Sequence, residues 1–238
     1  MKKIIAIILA AACIFAFASC GDGNGSGGGI EGYDNPIEAI VAMYALSEPT
    51  KIVTNYTTQL GNITLSGEEI LVTGSIDGKI ATIYEYWYEE LTGIDEGGGE
   101  VVYDVLKVVS GSKEYLEGSG VRVDGGGWKK NEYNFAPVKG DIAINITEAL
   151  VSDVSYSGNT LMFTVPAANI EAVFGFDSEL EGDVKVSITN DGAVITGIVL
   201  EYTVVGESDD EDVVYPDSVV TISTSYTYDL ELVSLISH

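Results

Sequence analysis

From Thr50 onward the chain alternates apolar and polar residues with a period of two. Ile52, Thr54, Tyr56 and Thr58 fall on one side, and Lys51, Val53, Asn55 and Thr57 on the other. Such alternation is the signature of a strand with one face on a core and one in water. A second stretch runs from Ile63 to Thr73 and is interrupted near Gly67. A third runs from Lys79 to Leu91, with Ile80, Thr82, Tyr84, Tyr86 and Tyr88 on one face and Ile83, Glu85, Trp87 and Glu89 on the other. Gly61-Asn62 and Asp77-Gly78 supply the turns, because Gly, Asn and Asp tolerate the left-handed backbone that tight hairpins need. The pattern predicts an antiparallel meander, extended by a strand over Val101 to Val109 and by short strands around glycine turns from Ser112 to Lys130.

The alternation returns near the carboxyl end. Val184, Val186 and Ile188 lead through Asn190-Asp191-Gly192 to Val194, Ile198, Leu200, Tyr202 and Val204. The last strand places Val220, Ile222, Tyr226, Tyr228, Leu230 and Leu232 together. Between them, Glu207 to Asp212 (ESDDED) reads as a solvated hairpin tip whose carboxylates repel one another.

Three segments break the period of two. Asn35-Pro36 starts a helix, Asn35 as cap and Pro36 in the first turn. Ile37, Ile40, Val41, Tyr44 and Ala45 then form one stripe, broadened by Ala39, Ala42 and Met43. Ile146 to Ser152 reads as helical, and Pro166 opens a second short helix with Ile170, Val173 and Phe174 buried and Gly175 closing it. The expected fold is α+β and mainly antiparallel β, a curved half-barrel-like sheet packed on a few helices. Three parts are expected: a leader over 1–19, a glycine-rich tether over 20–33, and one β-rich domain over 34–238.

The leader changes the picture of where the protein works. Lys2 and Lys3 precede an uncharged apolar run, Ile4 to Phe17, that ends in Ala18-Ser19-Cys20. This run is shorter than the ~20 residues a membrane-crossing helix needs. Phe17-Ala18-Ser19-Cys20 resembles the lipobox of bacterial lipoprotein signal peptides, with Phe17 where that family usually has Leu. The resemblance implies that Cys20 becomes the acylated first residue of a mature chain, tethered outside the cytoplasm by Gly21 to Gly32.

Composition then narrows the chemistry. The whole chain carries a formal charge of −26; without residues 1–19 it has nine basic and 37 acidic residues, or −28. Such a surface repels nucleic acid, so nucleic acid is not an expected partner. The one histidine is the last residue, His238, which is a poor place for a catalytic imidazole. Once Cys20 is acylated no thiol remains for zinc or a disulfide. Gly118-Ser119-Gly120 and Gly125-Gly126-Gly127 lack the spacing and following helix of a phosphate-binding loop. Carboxylates are so plentiful that no pair stands out as a hydrolase couple. No catalytic residue, metal site or cofactor is expected, and the protein is read as a non-enzyme and a monomer. Trp128-Lys129-Lys130, with Arg122 nearby, is the one basic cluster, read as a strand rim whose lysines pair with neighbouring acids, the alternative being a contact for an anion or a partner steered by its contrast in sign with the rest of the surface.

The element order also resembles the lipoprotein-carrier superfamily of LolA, LolB and the mycobacterial LppX and LprG type. The resemblance rests on that order, on a Gly127-Trp128-Lys129 turn after the first meander, and on the helix-strand-helix passage before the last strands; it covers about Pro36 to Ile236. It implies an incompletely closed, strongly curved sheet around helices and an apolar cavity. On this reading the protein is a lipid-anchored binding protein of the cell envelope for a lipid or acyl chain. The candidate lining residues are Tyr84, Tyr86, Leu161, Phe163, Ile198, Leu200, Tyr226 and Tyr228. The alternative is a fully packed envelope module that contacts protein or glycan through an exposed aromatic patch.

Overall fold

The computed structural model describes residues 35–46, 49–94, 98–119, 126–130, 145–174, 182–204, 208–210, 213–214, 217–228 and 234–235. Cys20, the leader, the tether, Arg122 and the Gly175 helix stop lie outside these residues, as do parts of the acidic loop and the last strand's Leu230 and Leu232.

Helix α1, Pro36–Leu46, leads into a meander: β1 (Lys51–Leu60), β2 (Ile63–Ile76), β3 (Lys79–Ile94), β4 (Glu100–Ser110), β5 (Lys113–Gly118) and β6 (Gly127–Lys130). The second half contains β7 (Ser152–Ser157), β8 (Thr160–Val165), a 3-10 turn at Ala167–Asn169, helix α2 (Ile170–Phe174), β9 (Val184–Asn190) and β10 (Ile195–Val204). A small hairpin, β11 (Ser208–Asp210) with β12 (Val213–Val214), precedes β13 (Ser218–Thr227) and β14 (Ser234–Leu235). The main sheet runs β6-β5-β4-β3-β2-β1-β13-β10-β9-β8-β7 and is open, since its end strands do not pair with each other. The strands on this path are antiparallel throughout; β14 adds a short parallel pairing at Ser75 and Ile76, beyond the point where β1 starts on β2.

The chain is thus mostly β rather than α+β: its described helices are one of 11 residues and one of five. The segment expected to be helical from Ile146 to Ser152 forms only a turn at Glu148–Leu150, closed by the Leu150 amide on the Thr147 carbonyl at 3.0 Å, before β7 begins. Only Ile146 in that stretch is fully buried, so no stripe exists to hold a helix against the sheet. Gly127-Trp128-Lys129, expected as a turn, is edge strand β6.

Where the sequence named the caps correctly, the reason is visible. Asn35 Oδ1 accepts from the Ile37 amide at 2.8 Å, and Ile37, Ala39, Ile40 and Met43 are buried. Ala45, placed on the same stripe, is exposed. Helix α1 packs on β8 and β10. The short second helix buries Ile170, Val173 and Phe174, as its spacing predicts. The Asn169 side-chain amide ties the preceding turn to the Leu150 carbonyl at 2.9 Å.

The two halves of the sheet meet at one seam. All ten residues of β1 pair with β13, from Lys51 opposite Thr227 to Leu60 opposite Ser218. Buried in that seam, the Thr54 and Thr224 hydroxyls bond to each other at 3.2 Å.

Candidate functional site

Residues opposite one another on neighbouring strands share a face, so the register sorts every side chain. One face, the core face, has a row built from Val105 on β4, Glu89 on β3, Gly67 on β2, Tyr56 on β1, Ile222 on β13, Leu200 on β10, Val186 on β9 and Phe163 on β8. Apart from the glycine, each residue in this row is buried.

At the centre of the row β2 is not interrupted at Gly67, contrary to the sequence pattern; it runs unbroken from Ile63 to Ile76. The glycine serves the neighbouring strand instead. A Cβ at position 67 would stand 2.1 Å from Tyr56 Cζ. The Tyr56 ring therefore lies across β2, and its hydroxyl donates to Glu89 Oε2 on β3 at 2.9 Å. Trp87 Nε1–H donates to the same hydroxyl oxygen at 3.3 Å. Burial, reinforced by the charge and hydrogen bond of Glu89, pushes the Tyr56 hydroxyl far above the ordinary tyrosine range; the Trp87 bond opposes this only in part.

The core face has two unlike halves. Over β8, β9, β10 and β13 it is buried, and α1 and α2 contribute to the same continuous core. Over β2 to β5 it is mixed: Leu65, Glu89, Leu91 and Val105 are buried, whereas Leu71, Trp87, Val109 and Leu116, beside Glu69, Glu85 and Lys107, are half-buried. Lys107 and Glu85 are joined there as a partly buried ion pair.

The eight candidate lining residues divide between the two faces. Leu161, Phe163, Ile198, Leu200 and Tyr226 are on the core face and buried. Tyr228 packs beside them, its hydroxyl donating to the Ile195 carbonyl at 2.7 Å. Tyr84 and Tyr86 point the other way, half-exposed. A bulge between Val72 and Thr73 also reverses the start of β3. Thr82, expected beside Tyr84, faces Thr73 across the core face, while Ile83 joins Val72, Ile76 and Ala81 in a small cluster on the reverse face.

Two rows cross the reverse face from β1 to β6. One reads Lys51, Val72, Tyr84, Ser110, Lys113 and Lys130; the next reads Val53, Ile70, Tyr86, Val108, Tyr115 and Trp128. Trp128 is 56 % exposed, and its ring lies 5.7 Å from that of Tyr115, tilted by 54°. Gly126 leaves space for Tyr115, whose hydroxyl would be 2.5 Å from a Cβ at that position. Lys113, Lys129 and Lys130 make no ion pair with another described residue, so the expected pairing of the rim lysines with acids is not found there.

Sequence reasoning missed Gly67, Glu89 and Trp87 as a unit. The available signal was a glycine inside a strand, which marks a close approach of some other group as readily as a break. Among the described residues no three His, Cys, Asp or Glu side chains converge on a metal-sized point. The chain matches no protein-family model, and no curated protein matches it in sequence.

Proposed function

We propose that the protein is a lipid-anchored, non-enzymatic binding protein of the bacterial cell envelope that holds a hydrophobic ligand, such as an acyl chain, on the core face of a bent, incompletely closed half-barrel. The supporting observation is the unequal cover of that face. Helices α1 and α2 share the continuous core of the β8–β10 side, which reaches Leu65 and Leu91 on β2 and β3, while Leu71, Trp87, Val109 and Leu116 on the same face are only half-buried. A half-covered apolar surface beside a packed core is where an acyl chain gains most by leaving water. On this reading Leu161, Phe163, Ile198 and Leu200 form the floor that fixes the sheet, and the ligand lies beyond them against β2 to β5. The partly exposed Lys107–Glu85 pair supplies polar contacts for a head group. The strand order fits the carrier reading, because an open sheet leaves an unclosed side through which a chain can enter.

The two tryptophans make a direct test, since they sit on opposite faces. In a Trp128→Phe variant, a bromine-labelled fatty acid should quench the remaining Trp87 emission, and mass spectrometry of freshly purified protein should reveal co-extracted lipid. Quenching confined to Trp128 in the converse Trp87→Phe variant, or no bound lipid and no quenching at all, would overturn the proposal.

A further inference from the structure

We infer that the reverse face of β1 to β6 is a docking surface for an anionic glycan, a chain of sugar rings bearing carboxylates or phosphates. This inference does not require the core face to bind lipid. It rests on the coincidence of two rows. Three of the nine basic residues outside the leader, Lys51, Lys113 and Lys130, lie in one register row, and none of the three has an ion pair among the described residues. Tyr84 lies within that row. Two residues further along the strands, roughly 7 Å away, the parallel row carries Tyr86, Tyr115 and Trp128.

The chemistry of the two rows selects the ligand. An aromatic side chain offers an apolar ring with a polar edge, which suits a sugar that has an apolar ring face and a hydroxylated rim. Neighbouring strands stand ~4.8 Å apart, about the advance of one pyranose unit, so a chain laid across the strands meets one side chain per ring. The lysines form a row of positive charge among the described residues of a chain whose formal charge is −26, and they would meet acidic substituents along one side of such a glycan.

The strip is narrow. Past the aromatic row come Glu68, Tyr88, Leu106 and Glu117, and then Glu90 and Asp104. A broad anionic surface, such as a bilayer of acidic lipid, would press on those carboxylates; a single linear anion need not. Tyr115 is itself tied by its hydroxyl to Glu117 at 2.5 Å, which fixes the ring on the boundary between the lysine side and the acidic side.

Affinity electrophoresis of the full-length mature chain tests the inference, with polygalacturonate as the carboxylate probe, poly(glycerol phosphate) as the phosphate probe, and neutral dextran as the control. Retardation by one or both anionic polymers, absent with dextran and weakened by added salt, is the expected result. Trp128→Ala should weaken it by about tenfold. Lys113→Gln with Lys130→Gln should weaken it without changing the melting temperature, because both side chains are exposed. No retardation by either anionic polymer, equal retardation by dextran, or tighter binding to a single-stranded oligothymidylate than to either polymer would overturn it. Quenching of Trp87 by a bromine-labelled fatty acid in the Trp128→Phe variant is read separately, so each proposal stands or falls alone.

Discussion

Tyr56 and Glu89 are joined across an intervening strand: the hydroxyl of one reaches the carboxylate of the other at 2.9 Å by passing over Gly67. A side chain at 67 cannot coexist with that path. Gly67→Ala should therefore lower stability by about 2 kcal/mol, a shift of several degrees in Tm. The penalty should shrink sharply when Tyr56→Ala is already present. A double-mutant cycle by thermal unfolding reads the coupling, and additive effects would show that the glycine matters for some other reason.

Alkaline unfolding should report the same group. Burial raises both Tyr56 and Tyr202, so each is still protonated in the folded chain when the unfolded chain begins to ionise near pH 10. Their stabilising contribution is complete below that pH and is lost as pH rises, by up to ~1.4 kcal/mol per pH unit for each tyrosine. Denaturant melts at rising pH should show the loss. Tyr202→Phe should flatten the curve, having removed one titrating group.

The halves of the core face should respond differently to truncation. Leu161 is fully buried under the covered half, and Leu161→Ala should cost about 2–5 kcal/mol. Leu71 is half-buried, and Leu71→Ala should cost about 1 kcal/mol or less while weakening fatty-acid binding severalfold. Chemical denaturation and a fluorescent fatty-acid titration on both variants separate stability from binding.

The proposed lipid anchor at Cys20 has its own test. Cys20→Ser should abolish labelling by radioactive palmitate and release the protein from the membrane fraction. Continued labelling in that variant would move the attachment elsewhere.

How far the residues revealed the fold is clearest where alternation was unbroken. In β1, β9 and β13 the side chains fall on the faces that period two assigns, because neither pairing between β1 and β13 nor strand geometry adds a residue. The errors gather at bulges and glycines. The bulge opposite Val72 turned Thr82 and Ile83 over, and another between Ile195 and Gly197 lets Ile195 and Ile198 both be buried although they are an odd three positions apart. An inserted residue is set by pairing with the next strand, which a single strand's pattern does not encode. The candidate site was read less well. Period two groups Tyr84 with Tyr86 but does not encode the register, which puts that pair on the face opposite Leu161 and Ile198. Gly67 looked like a break because the ring it accommodates comes from a residue on the adjacent strand.

The β1–β13 seam has a temporal consequence. Thr50 bonds through its hydroxyl to the carbonyl of Thr227, 177 positions along the chain. When the polypeptide emerges amino end first, the six strands of the first meander can assemble by short hairpins while the partner of β1 has not yet appeared. Until it arrives, ten residues of open backbone, Lys51 to Leu60, remain available to any passing strand. The interval between the first meander and the last long strand is thus the period in which this molecule is most exposed to mispairing with its neighbours.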